Sequence, residues 1–199
     1  MMNINKIVVA SHNQGKIKEI DAMLAPFNIE VLSAAELNLP DVEETGTTFE
    51  ENARLKADTL CRLTGLACLA DDSGLCVDAL GGRPGVYSAR YAEDASGNRD
   101  FDKAIERLIG ELRKTGNDDW SAHFSCVLAF AVPNQETQIF EGRVDGKIVL
   151  ERSGDKGFGF DPVFMPEGFD KTFANFTKEE KAAVSHRGRA FQKFVKIFG

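Results

Sequence analysis

The run Ile7-Val8-Val9-Ala10 passes directly into Ser11-His12-Asn13-Gln14-Gly15-Lys16 and then into Ile17, Ile20 and Leu24. Consecutive apolar residues read as a buried strand, and apolar residues three and four apart read as one face of a helix. The stretch therefore predicts a strand, a short polar loop and a helix, the opening unit of an α/β fold. A strand that ends where a helix begins aims several backbone N–H groups, and the positive end of the helix dipole, at one spot. That spot suits a phosphate. Gly15 lets the backbone approach closely and Lys16 brings a full positive charge. The same residues serve equally as an ordinary helix start, with Asn13 as N-cap and Lys16 in solvent.

Further along, Pro26 stops the first helical pattern and Ile29 to Leu32 reads as a second strand. Thr48 with Glu51 forms a capping box, and Phe49, Ala53, Ala57 and Leu60 carry an apolar face, so a helix is expected near 49–64 with Gly65 beyond its end. Leu66 to Ala70 reads as a short buried strand that ends in the loop Asp71-Asp72-Ser73-Gly74. A helix is expected near 98–115, and the period-two run Trp120 to Val132 turns at Pro133-Asn134 into Thr137 to Val144 as a hairpin. Thr177 with Glu180 is a second capping box, opening a C-terminal helix that includes Ala190, Phe194 and Phe198. Helices interleave with the early strands and a hairpin follows, so the expected class is α/β with a mixed sheet and flanking helices.

A chain of 199 residues can form one domain, here expected to span 1–199, and remove about 70% of its unfolded surface from water. The hydrophobic share of 43% and charged share of 28% belong to an ordinary globular protein. The longest apolar run, Cys126 to Val132, is far too short to span a bilayer, and the first strand follows the start of the chain without a leader pattern. A cytoplasmic protein with no membrane partner is the expectation. Cys61, Cys68, Cys76 and Cys126 make no C-x-x-C pair and sit in apolar patterns, which predicts buried thiols. A net charge of −7 argues against a nucleic-acid partner, whose backbone needs a basic face. An anion would have to be held locally, and Lys181, His186, Arg187 and Arg189 gather near the chain end.

Asp71 and Asp72 are the strongest candidates for chemistry. Adjacent carboxylates repel, and Mg²⁺, which takes one or two protein carboxylates together with waters and substrate phosphates, relieves that repulsion. An Asx turn before Gly74 is the competing reading. Glu43-Glu44 supplies further acids, although acids ahead of a helix are favoured by its dipole in any case. Phe158-Gly159-Phe160-Asp161-Pro162 puts aromatic rings on a glycine-flanked loop that can stack on a base or pack in the core. Lys181, Ser185, His186 and Arg187 form a basic cluster at a helix end, fit for dipole compensation or for donating to an acceptor.

Six segments, in order, carry a resemblance: Ser11-x-Asn13-x-x-Lys16; Glu43-Glu44-Thr45-Gly46-x-Thr48-Phe49-x-Glu51-Asn52-Ala53; Ala70-Asp71-Asp72-Ser73-Gly74-Leu75; Leu80-Gly81-Gly82-Arg83-Pro84-Gly85-Val86-Tyr87-Ser88-Ala89-Arg90-Tyr91; Gly157-Phe158-Gly159-Phe160-Asp161-Pro162; and Ser185-His186-Arg187-Gly188. Together they resemble the bacterial inosine/xanthosine triphosphate pyrophosphatase, or Ham1-like, family over essentially the whole chain. The resemblance implies a homodimeric house-cleaning enzyme with two lobes around a nucleotide cleft, hydrolysing ITP, dITP and XTP to the monophosphate and pyrophosphate with Mg²⁺. It implies that Ser11, His12, Asn13, Gln14, Gly15 and Lys16 hold the phosphates, and that Asp72 is proton acceptor and metal ligand with Glu43 near the metal. It further implies that Ser73 contacts substrate and that Phe158, Gly159, Phe160, Asp161, Lys181, His186 and Arg187 build the base pocket. A Maf-like pyrophosphatase of other specificity and a non-hydrolytic nucleotide-binding regulator are the alternatives.

Overall fold

The computed structural model describes residues 4–198. Strands β1 (Lys6–Val9), β2 (Glu30–Ser33), β3 (Cys68–Val77), β4 (Arg83–Pro84), β5 (Ser121–Ala131), β6 (Gln138–Ile148) and β7 (Phe164–Pro166) alternate with helices α1 (Gln14–Leu24), α2 (Phe49–Thr64), α3 (Ser88–Tyr91), α4 (Phe101–Lys114), α5 (Lys178–Val184) and α6 (His186–Phe194). The strand order is β2-β1-β3-β5-β6-β7, with β4 also paired to β3. β1 runs parallel to β2 and β3, whereas β4 is antiparallel to β3 and β7 to β6, so the sheet is mixed as the element order predicts. The chain divides into two compact units, and the division falls inside β3, β5 and β6.

The first unit gathers the residues up to Asp72, Cys126–Gly142 and the chain from Arg187 onward. Side chains of a strand alternate between the two faces of its sheet, and both faces are covered here. Ile7, Val9, Leu69, Cys126 and Leu128 pack with Ile20 and Leu24 of α1 and with Ala190 and Phe194 of α6. Val8, Cys68, Ala70, Val127 and Ala129 pack with Ala53, Ala57 and Leu60 of α2. Helix α2 starts at the expected capping box, Thr48 accepting from the Glu51 N–H, and ends at Gly65 with φ +68°. That left-handed conformation suits a glycine.

The second unit holds Ser73–Ser125 and Arg143–His186. Ile105, Leu108 and Leu112 of α4 pack with Leu75, Val77, Phe124, Val144, Phe164 and Phe173. Ser88 at the start of α3 pins the second half of β3, its hydroxyl accepting from the Leu75 N–H at 2.9 Å and donating to the Gly85 carbonyl at 2.6 Å.

Two elements differ from expectation. Asp71 to Gly74 is no loop: β3 runs unbroken from Cys68 to Val77, with both aspartates buried in its middle. A strand tolerates buried carboxylates where cations meet them, and Lys16, Arg187 and Lys56 do so. The C-terminal helix is also broken. Ser185, with φ −69° and ψ 162°, leaves helical geometry after α5, and α6 starts afresh at His186. Serine favours such a junction because its hydroxyl competes with the helix for backbone groups.

Candidate active site

In the first unit, β1 delivers Ser11 to Gln14 to the start of α1. The Asn13 side chain accepts from the N–H groups of Gly15 at 2.9 Å and Lys16 at 3.2 Å, so Asn13 is an N-cap, and the Ser11 hydroxyl accepts from the Asn13 N–H at 3.1 Å. Capping leaves Lys16 far from idle. Its ammonium lies 2.6 Å from Asp71 Oδ1 and 3.3 Å from the Asp71 carbonyl oxygen. His12 and Gln14 are exposed, and His12 Nδ1 lies 3.3 Å from Asp41.

Because β3 is extended, its neighbouring aspartates point to opposite faces of the sheet. Asp71 faces the α1 and α6 side, where Arg187 Nε donates to its Oδ2 at 2.7 Å and the Cys126 thiol donates at 3.2 Å. Asp72 faces the α2 side, where Lys56 donates to its Oδ1 at 2.9 Å and the Asn52 amide lies 3.5 Å from its Oδ2. The expected repulsion between adjacent carboxylates is relieved by this separation and by different cations.

Lys56 Nζ also donates to Glu44 Oε1 at 2.6 Å and to the Asp71 carbonyl at 3.0 Å. It is buried, and so are Asn52 and Asp72. Of the acid pair, Glu44 and not Glu43 reaches this group. Exposure alternates along 41–46, with Val42, Glu44 and Gly46 facing inward and Asp41, Glu43 and Thr45 outward. Sequence reasoning missed both Lys56 and Asn52. The signal was present, since Asn52, Ala53, Lys56, Ala57 and Leu60 share the apolar stripe of α2, and a lysine there needs a buried acid.

The environments push these groups apart. Burial is the largest influence on Asp72 and raises its carboxyl, Lys56 and Lys16 pull it back, and Glu44 raises it again; the balance is about 6. Burial also works to raise Asp71, but Arg187 and Lys16 outweigh it and hold that carboxyl well below the ordinary range. Burial works against the charge of Lys56 and is outweighed by Asp72 and Glu44, so its value is raised. Titratable neighbours with opposed shifts mark a site where one group can exchange protons while the other stays charged.

Among the described residues, no group of three or more His, Cys, Asp or Glu side chains is arranged to hold a metal ion. Mg²⁺ needs fewer, because it keeps waters and takes substrate oxygens. The hard oxygens of Asp72, Glu44 and the Asp71 carbonyl already converge on one cation, the Lys56 ammonium. That donor set fits the ion.

In the second unit the glycine-flanked loop is organised by Asp161. Its Oδ2 accepts from the Phe158 N–H at 2.8 Å and from Lys181 Nζ at 2.6 Å. The Lys181 ammonium also lies 4.8 Å from the centre of the Phe158 ring. Gly157 has φ +73°, and a Cβ there would lie 2.1 Å from Asp161 Oδ2. Phe160 is buried against Phe101 with edge-to-face rings, which places it in the core, while Phe158 and Gly159 are partly exposed. His186 stacks on Phe124 at 4.7 Å and 12°. Ser73, partly exposed, directly follows Asp72 along β3.

His186 and Arg187 open α6 rather than close a helix, so dipole compensation does not explain them: positive charge at a helix N-terminus is unfavourable. Arg187 lies in the first unit with Asp71, and its Nη1 also donates to Glu19 of α1. The structure thus brings Lys16, Asp71 and Arg187 together in one unit, and Phe158, Asp161, Lys181 and His186 in the other. A cavity of about 600 Å³ in the second unit is walled by Asp78, Ser121, Asp145, Met165 and Phe169 among others, and none of the candidate residues lines it.

The chain is similar to known proteins along nearly its whole length. A family model described as the Ham1 family matches residues 7–197. A dITP/XTP pyrophosphatase of Brucella melitensis is 48% identical over 206 aligned positions, covering 98% of this chain and 94% of that protein. One from Mesorhizobium japonicum is 48% identical over 96% of this chain and 91% of its own length. Among solved structures, the Ham1 protein of Staphylococcus aureus is 40% identical with a TM-score of 0.84, covering 97% of each chain. The nucleoside-triphosphatase / dITP/XTP pyrophosphatase of Mycobacterium abscessus is 42% identical with a TM-score of 0.74, covering 96% of this chain and 98% of that one.

Proposed function

The chain belongs to the Ham1 family, and on that premise we propose that it hydrolyses the purine nucleoside triphosphates dITP, XTP and ITP to the monophosphate and pyrophosphate. The observation that carries the reading is the divided aspartate pair: Asp72 poised near pH 6 beside Lys56, and Asp71 fixed as an anion beside Lys16 at the head of α1.

In this reading the N–H groups at the start of α1, with Ser11 to Lys16, hold the phosphates. A water attacks the α-phosphorus, the bond from that phosphorus to the bridging oxygen of the leaving pyrophosphate breaks, and Asp72 takes the water's proton. Lys16 and Lys56 neutralise charge on the phosphates. Asp72 and Glu44 would hold Mg²⁺, with Glu44 taking the place first expected of Glu43; when bound, the ion supplies charge neutralisation and orientation of phosphate oxygens.

Base recognition falls to Phe158, Asp161, Lys181 and His186, with Ser73 touching substrate near the reacting centre; Arg187, first expected among them, instead donates to Asp71 and Glu19 in the first unit. Hypoxanthine and xanthine offer an acceptor at position 6 where adenine carries a donor. Cationic and N–H donors aimed at that position pair with the first two and are left unpaired by the third, a mismatch able to discriminate by ~10⁴ or more. The homodimer and the cytoplasmic location implied by the resemblance belong to the same proposal. All four cysteines are buried free thiols, which supports a reducing compartment, and no helix of the described residues is long and apolar enough to cross a membrane.

The test is product release from ITP, XTP, dITP, GTP and ATP with and without Mg²⁺. Pyrophosphate from the first three, dependent on Mg²⁺, is the expected result. Orthophosphate would place the cleavage at another bond, and binding without product would favour a regulator.

A further inference from the structure

Asp71 is a buried carboxylate to which the mechanism assigns no step. Asp71 has no side-chain exposure and sits on the face of β3 opposite the proposed base, Asp72. It is the hub of an alternating set of charges within the first unit. Lys16 lies at 2.6 Å on Oδ1, Arg187 Nε donates at 2.7 Å to Oδ2, the Cys126 thiol donates at 3.2 Å to the same oxygen, and Arg187 continues to Glu19. Lys16 and Glu19 stand one turn apart on α1, so the ring Lys16, Asp71, Arg187, Glu19 ties that helix to β3 and to the start of α6.

Such a set is costly to bury and adds little to stability over apolar packing, so its retention calls for a geometric reason. Lysine supplies one. Its ammonium rides on four flexible carbons and loses several rotatable bonds' freedom wherever it must be held at one point. Asp71 holds it by two contacts, the carboxylate and the backbone carbonyl. An ammonium has three N–H donors, so the third remains for a phosphate oxygen. Arg187 and Cys126 in turn fix the carboxylate that does the holding.

We propose that Asp71 is a positioning residue for the hydrolysis, fixing the ammonium of Lys16 at the phosphate site and acting through that lysine rather than on the substrate. The inference rests on the functional reading given above. It is tested with the full-length chain by a double-variant cycle in kcat/KM for dITP, using Asp71→Asn, Lys16→Met and the pair, with folding followed by circular dichroism. Asp71→Asn is expected to lose about tenfold to a hundredfold, the scale of a misplaced binding group. The pair is expected to fall within about twofold of Lys16→Met alone, because the aspartate has nothing left to position. Losses that multiply, or an Asp71→Asn variant within about twofold of wild type, overturn the proposal. If Asp71→Asn does not fold, Asp71→Glu keeps the charge while displacing it by one methylene, and its loss must vanish in the Lys16→Met background in the same way. A wild-type chain that releases no pyrophosphate from dITP, XTP or ITP overturns the functional reading and the inference with it. An active wild type with independent losses overturns the inference alone.

Discussion

Asp71 and Asp72 are chemically identical and differ by one position, yet their neighbours shift them in opposite directions. Arginine and lysine beside Asp71 make it a permanent anion, whereas burial with Glu44 nearby lifts Asp72 to about 6 and leaves it able to accept a proton near neutral pH. The sign of the pH effect follows. Below about pH 6 Asp72 is protonated in the metal-free enzyme, where it can neither accept a proton nor bind Mg²⁺, so kcat/KM for dITP at subsaturating Mg²⁺ should fall as pH drops through that value. A folded value above the ordinary 3.8 also means that this group favours the fold most below about 3.8 and loses that contribution as pH rises through 6. Asp72→Asn should abolish turnover while circular dichroism stays that of the wild type; a variant with wild-type kcat would remove Asp72 from the base role.

At the level of elements, helix α2 and the loop after β6 each present the proposed site's side chains from a defined backbone. Thr48 and Glu51 start α2 so that Asn52 and Lys56 lie on its buried face, and the sequence announces this start without ambiguity. The loop is less forgiving. Asp161 binds the Phe158 N–H and Lys181 together only because Gly157 lets the carboxylate come close with φ +73°. Gly157→Ala would force a Cβ to 2.1 Å from that carboxylate in a conformation alanine resists. The expected result is a loss of selectivity between ITP and ATP that exceeds the loss of ITP turnover, measured as the ratio of the two kcat/KM values. An unchanged ratio would detach this loop from base recognition. Elements whose signals are local, such as the capping boxes at Thr48 and Thr177, were legible from sequence; the unbroken β3 and the break at Ser185 were not. A strand that carries Asp71 and Asp72 through its middle depends on Lys16, Lys56 and Arg187, which lie between 15 and 116 positions away.

Across the whole molecule, β3, β5 and β6 contribute residues to both compact units. Shared strands predict that the chain unfolds in one cooperative step. Trp120, the single tryptophan, lies in the second unit, so its fluorescence reports that unit while far-ultraviolet circular dichroism reports every helix and strand. Urea midpoints from the two probes should coincide, and a separated tryptophan transition would show that the units unfold independently. The sequence by itself determined the α/β class, the helix starts, the hairpin, the strand-loop-helix opening and the family, because each rests on periodicity, capping or contiguous motifs. Only the tertiary structure decided that the two aspartates face opposite sides of one strand, that Glu44 rather than Glu43 turns inward, and that Lys56 joins Glu44 to Asp72. Burial and ion pairing are properties of residues brought together from distant positions. A carboxylate's role is set by which cation reaches it, and that is fixed when β3 is packed between α1, α2 and α6.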